Sequence, residues 1–101
     1  MIDQKLRPRR MRISPSVRSM VRETSLAVED FVYPIFVVAG ENVKEEIPSM
    51  PDCYHLSVDQ AVKVAQEAYA LGIPSVEVFG LPEYKDEIGS SAWDMTSPVQ
   101  R

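Results

Sequence analysis

Cysteine and histidine are the scarcest chemistry in this chain of 101 residues: it has one of each, Cys53 and His55. A single cysteine excludes an intrachain disulfide and a cysteine cluster for zinc within one copy. A single histidine excludes a two-histidine metal site. No N-terminal apolar run resembles a secretory signal, and no stretch approaches the roughly 18 consecutive apolar residues that span a bilayer. Secretion and membrane partners are therefore unsupported, and a nearly cysteine-free chain suits the cytoplasm. Internal repeats and low-complexity tracts are also missing.

What is present fits one globular domain. The hydrophobic fraction of 45% is ordinary, and about 100 residues bury a modest core. The net charge of −4 hides an asymmetry. Residues 1–22 carry seven basic side chains against Asp3 alone, a net of +6. Residues 23–101 carry the other four basic side chains against fourteen acids, a net of −10. A basic tail on an acidic body points to docking on something acidic, either nucleic acid or another copy of the body.

Residues 1–13 lack apolar periodicity and read as an extended arm, disordered unless docked. "SPSVRSMVRET" reads as a short helix, with Ser14 as N-cap and Pro15 at its first position. "DFVYPIFVV" reads as a strand buried on both faces, which implies a parallel sheet under helices. Pro34 belongs near its start or at an unpaired position. "VKEEI" and "CYHLS" flank the turn residues "PSMPD" as a short antiparallel hairpin. Residues 57–71 predict a helix. Ser57 and Gln60 have capping-box spacing, and Val58, Ala61, Val62, Val64, Ala65, Ala68, Tyr69 and Leu71 supply the apolar face. Gly72 and Pro74 end it. "SVEVF" is a second strand, so the order is strand, helix, strand, a βαβ unit. A long polar loop follows Phe79. Two parallel strands do not complete a sheet, so the chain reads as cut from something larger, with apolar faces and strand edges that invite association.

Three segments in this order carry a resemblance: "RPRRMRISPSVRSMVRET", "YPIFVVAGENVKEEIPSMPDCYHLS" and "LGIPSVEVFGLPEYKDEIGSSAWD". Together they resemble the N-terminal third of the porphobilinogen synthases, also called delta-aminolevulinic acid dehydratases. The resemblance implies an α/β fold, made of an N-terminal arm and the first βαβ portion of an incomplete (β/α)8 TIM barrel. It divides the chain into residues 1–24, the arm with its short helix, and residues 25–101, the first strand, hairpin, helix and second strand. It implies an enzyme, a lyase that condenses two molecules of 5-aminolevulinate to porphobilinogen in tetrapyrrole and haem synthesis. Two Schiff-base lysines of the family lie on later strands, and its zinc or magnesium site begins after Arg101. No lysine here matches them. The expectation is therefore no catalytic, cofactor-binding or metal-binding residue in this chain, and no activity from it alone. The family also implies homo-oligomers, typically octamers, in which the arm wraps a neighbouring subunit.

The other candidates have plain readings. Arg7 to Arg12 lack the interleaved aromatics that stack bases, so nucleic acid ranks below a docked or solvated arm. His55 in a hairpin is read as structural or solvent-exposed. Lys85 follows the second strand, on the catalytic side of such barrels. Its neighbours Glu83, Asp86 and Glu87 do not supply the desolvation or cationic neighbour that an amine nucleophile needs, so it is read as a surface lysine. Glu83, Asp86, Glu87 and Asp94 offer oxygens to magnesium but follow no known loop spacing, and a solvated acidic loop is favoured. Tyr84 and Trp93 could cover an active site but are read as packing locally or at a subunit contact. Glu77, in mid-strand, faces either the barrel interior or a wet edge. Cys53 is placed outside any metal cluster. Two rival functions remain, a self-contained assembly or binding module with a basic arm and, ranked last, a small complete metal-dependent enzyme.

Overall fold

The computed structural model describes Leu6 and residues 8–101. Arg7 and the first five residues, which belong to the expected arm, lie outside the described residues. The arm forms a 3-10 turn over Arg10–Arg12 and the helix α1 over Pro15–Met20. The Ser14 hydroxyl accepts a hydrogen bond from the Val17 N–H at 3.2 Å, so the predicted N-cap forms. Every residue from Arg18 to Pro34 is exposed. The radius of gyration is 22.2 Å and the long axis 63 Å. A compact chain of this length has a radius near 13 Å, so the arm extends away from the body.

The body is one four-stranded sheet. Its strands are β1 (Val32–Val38), β2 (Lys44–Glu46), β3 (Tyr54–Leu56) and β4 (Ser75–Leu81), in the spatial order β2-β3-β1-β4. β1 and β4 pair in parallel along their whole length, from Val32 opposite Ser75 to Val38 opposite Leu81. β2 and β3 form the expected antiparallel hairpin. The hairpin also joins the sheet: Phe36 and Val37 pair in parallel with His55 and Leu56. The sheet is therefore wider than two strands, and β1 is a central strand. Pro34 lies outside the part of β1 that β3 reaches.

Helix α2 (Val58–Ala70) crosses one face. Ile35, Val37 and Leu56 are buried there, with Tyr54, Val58, Ala61, Val64 and Ala65 packed against them. The opposite face of β1 carries Val32, Pro34 and Phe36, and it is exposed or half-buried. The reading of β1 as buried on both faces is thus corrected, because α2 covers one face only. The apolar face of α2 is also narrower than its sequence indicates. Val62, Tyr69 and Leu71 are exposed, since two short strands and half of β1 present too little surface to cover them.

The capping box at the start of α2 is also corrected. Ser57 is fully buried, and its hydroxyl does not cap the helix. It accepts instead from the Val43 N–H at 2.9 Å and donates to the Asp59 carboxylate at 2.5 Å. The Gln60 side chain donates to the Asn42 side-chain oxygen at 2.6 Å. Both capping residues have been recruited by the loop after β1. A long-range contact has displaced a local one, which a pattern four residues long cannot reveal.

Candidate functional site

Parallel pairing puts the C-terminal ends of β1 and β4 on the same side of the body. In α/β folds that side is where ligands bind, because the connecting loops gather there. The loops here enclose an open hollow of about 490 Å³. Ala39 from the end of β1 lines it, as do Pro82, Tyr84, Trp93, Asp94 and Thr96 from the segment after β4.

That segment reads as a polar loop in sequence, but it has internal structure. Gly89 adopts a left-handed φ of 64° and starts a 3-10 turn over Ser90–Trp93. The Asp86 carboxylate accepts from the Ser90 N–H at 2.8 Å and from the Ser90 hydroxyl. The Ser90 hydroxyl and, after it, the Ser90 N–H hold the Asp86 carboxyl below its ordinary value. Asp94 accepts from the Thr96 N–H at 2.9 Å and the Thr96 hydroxyl at 2.7 Å, and these bonds likewise lower its pKa. The two aspartates are loop fasteners. Among the described residues, no three His, Cys, Asp or Glu side chains gather in the way that holds a metal ion.

The segment then folds back on the sheet. The Gln100 side chain donates to the Ala92 carbonyl at 2.5 Å and the Ser97 hydroxyl to the Ser91 carbonyl at 2.7 Å. Val99 sits against β4 at Gly80, where an added Cβ would lie 2.3 Å from a Val99 methyl. Gly80 is thus the residue that lets the end of the chain lie on the strand. The sequence contains this glycine, but its partner nineteen residues away is visible only in three dimensions.

The other candidates are scattered. Lys85 and Glu87 are exposed in the loop, as are Tyr84 and Trp93, which share the wall of the hollow. Glu77 is opposite Pro34 in the register, on the face of the sheet away from α2, and it is exposed. His55 is half-buried on that same face, opposite Phe36 on one side and Glu45 on the other. The next pair in that row is Phe36 and Phe79, whose rings stack at 5.4 Å and 22°. Sequence reading did not single out this aromatic pair, since only the register makes the two residues neighbours. Cys53 is half-buried at the base of the hairpin, where its carbonyl accepts from the Ile47 N–H at 2.8 Å.

Comparison with known proteins decides the family. The family model for delta-aminolevulinic acid dehydratase matches residues 5–101. The chain belongs to the delta-aminolevulinic acid dehydratase family. A curated dehydratase from Synechococcus elongatus is 50% identical over 95 residues, which are 94% of this chain and 29% of that protein. The Bacillus subtilis dehydratase is 48% identical over the same shares. The chain thus spans about 29% of the length of these curated dehydratases. The crystal structure of the Toxoplasma gondii dehydratase (porphobilinogen synthase), in complex with the reaction product porphobilinogen, superimposes with a TM-score of 0.68 at 36% identity. That match covers 82% of this chain and 23% of the other. β1, α2 and β4 are accordingly the opening βαβ portion of the dehydratase barrel, and the hollow lies on the side of the barrel where strands end.

Proposed function

We propose that this chain supplies the arm and the first two barrel strands of an enzyme that condenses two 5-aminolevulinate molecules to porphobilinogen. The carrying observation is the family match from residue 5 to residue 101. On this reading the chain contributes shape more than chemistry. Tyr84 and Trp93 wall the strand-end side. Phe36 and Phe79 form an apolar floor on the face that turns towards the barrel interior. The fixed turns at Asp86 and Asp94 hold that wall in place. The Schiff-base lysines and the metal site, zinc or magnesium, belong to later barrel segments of the family. The residues here do not fit a metal, because Asp86 and Asp94 are engaged within their own loop and Cys53 has no second thiol. No step is therefore assigned to a metal at this site.

The finer readings are a cytoplasmic enzyme and a homo-oligomer joined through the arm, an octamer in the family. No helix among the described residues is long and apolar enough to cross a membrane, and the arm stands off its own body. A chimera tests the activity. Residues 1–101 replace the matching first third of the Bacillus subtilis dehydratase, and porphobilinogen formation from 5-aminolevulinate is followed by colour reaction. The chimera should turn over, while the 101-residue chain alone should neither form product nor trap substrate on Lys63 or Lys85 with borohydride. A soluble, folded chimera without activity would refute the reading.

A further inference from the structure

The hairpin has a place in the barrel that its sequence does not announce. Helix α2 covers one face of the sheet, and helices form the outer ring of a barrel, so the other face turns inward. Side chains alternate along a strand. In the strand-end half the inward side chains are Phe36 and Val38 on β1 and their partners Phe79 and Leu81 on β4, all apolar. The hairpin extends this face. His55 is opposite Phe36, and Glu45 is opposite His55. A row thus crosses the sheet from Glu45 through His55 and Phe36 to Phe79, two residues short of the end of β1. β3 pairs with Phe36 and Val37 only, so the edge from Val32 to Ile35 stays open to the last strand of a closed barrel. His55 is half-buried in that row. Lys44, the hairpin's one cation, is on the other face, opposite Leu56 and with its ammonium 4.7 Å from the centre of the Tyr54 ring.

We propose that His55 is a specificity-determining residue of the proposed reaction, donating a hydrogen bond to the carboxylate of 5-aminolevulinate at the barrel mouth. The inference rests on the proposed porphobilinogen-forming activity and adds a substrate contact from the hairpin. 5-Aminolevulinate carries a carboxylate at one end and an ammonium at the other. A carboxylate taken in among apolar side chains needs a donor. On the inward face of the strand-end half only the imidazole offers one, since Phe36, Val38, Phe79 and Leu81 have no polar atoms and an ionised Glu45 only accepts. Glu77, two residues before Phe79 on the same face, likewise only accepts. The two glutamates suit the ammonium and repel the carboxylate, which leaves His55 as its docking point.

The test uses the Bacillus subtilis chimera with levulinate, which is 5-aminolevulinate without its amine, and methyl levulinate, which lacks the carboxylate charge. Binding of each is measured by calorimetry, which needs no turnover. His55→Phe keeps an aromatic ring beside Phe36 and removes the donor. It should weaken levulinate binding about tenfold, the size of one hydrogen bond to a charged group, and change methyl levulinate binding by less than about twofold. His55→Gln restores a donor and should lose only about threefold. KM for 5-aminolevulinate should rise with the levulinate Kd while kcat stays within about twofold, the pattern of a contact made equally in the ground and transition states. Lys44→Gln, on the other face of the same hairpin, should leave all of these unchanged. Equal weakening of levulinate and methyl levulinate in either His55 variant, or no weakening of levulinate, would overturn the contact while leaving the reaction standing. A folded chimera with wild-type His55 that binds levulinate without turnover would fail the proposed activity alone, and one that binds no levulinate would fail both.

Discussion

β1 and β4 are two strands of seven residues that pair in full register, yet they live in different surroundings. In β1, Ile35 and Val37 are 3% and 4% exposed. In β4, Val76 and Val78 point to the same side of the sheet and are 40% and 44% exposed. All four are β-branched aliphatic residues. Neighbours make the difference: β1 has β3 on one edge, β4 on the other and α2 above, whereas β4 has β1 alone and the short lid of Pro98 and Val99. An apolar strand records the burial that its fold provides for it. It does not reveal which neighbour provides it.

The contrast can be broken by mutation, with the largest effect on the central strand. Ile35→Ala should destabilise the chain by about 2–5 kcal/mol in urea denaturation, as expected for deleting a buried aliphatic side chain that leaves a cavity. Gly80→Ala should cost about 1–3 kcal/mol, because the new Cβ forces Val99 off the strand. Adding Val99→Ala should recover part of that loss by clearing the space. Ser57→Ala should cost a similar 1–3 kcal/mol or so, since it leaves the Val43 N–H without its side-chain acceptor. Val78→Ala, at a half-exposed site, should cost only about 1 kcal/mol. A Val78→Ala cost equal to that of Ile35→Ala would mean that β4 is covered in solution.

The smallest effect is in acid. The Ser57 hydroxyl, followed by the Asn42 N–H, holds the Asp59 carboxyl below its ordinary value of 3.8. A carboxyl lowered in the folded state stabilises the fold above that value, and the stabilisation is lost as pH falls through the lowered pKa. Asp59 is exposed, so the effect is small. Carbon-13 NMR titration should find Asp59 titrating below pH 3.8 in the native chain and closer to 3.8 after Ser57→Ala. An unchanged titration would remove Ser57 as the cause.

Much of the layout is legible in the sequence because its signals are local. The N-cap at Ser14, the antiparallel hairpin around "PSMPD" and the helix ended by Gly72 all depend on residues a few positions apart. The features that escape the sequence depend on distant partners. Ser57 and Gln60 have capping-box spacing, but Val43 and Asn42 compete for both side chains. The strand "DFVYPIFVV" is apolar throughout, and only the position of α2 shows which face is buried. The hairpin's parallel pairing with β1 is a choice between two edges that no periodicity encodes. At the candidate site the acidic residues after Phe79 are visible as a group, while their work as turn fasteners depends on Ser90 and Thr96. The stacked Phe36 and Phe79 are 43 positions apart in sequence and are brought together by register alone.

Hydrogen exchange tests the central claim most directly, namely that β4 is a barrel strand whose outer neighbour lies in the family's later segments. Amide protection is measured for β1 and β4 in the 101-residue chain and in the Bacillus subtilis chimera. In the chain alone, β1 should be well protected, and the β4 amides that point away from β1 should exchange rapidly. In the chimera those same amides should slow by at least about a hundredfold, as open edge groups become paired, while β1 changes little. If β4 exchanges at the same rate in both proteins, the outer edge of β4 is not a barrel edge and the account is wrong.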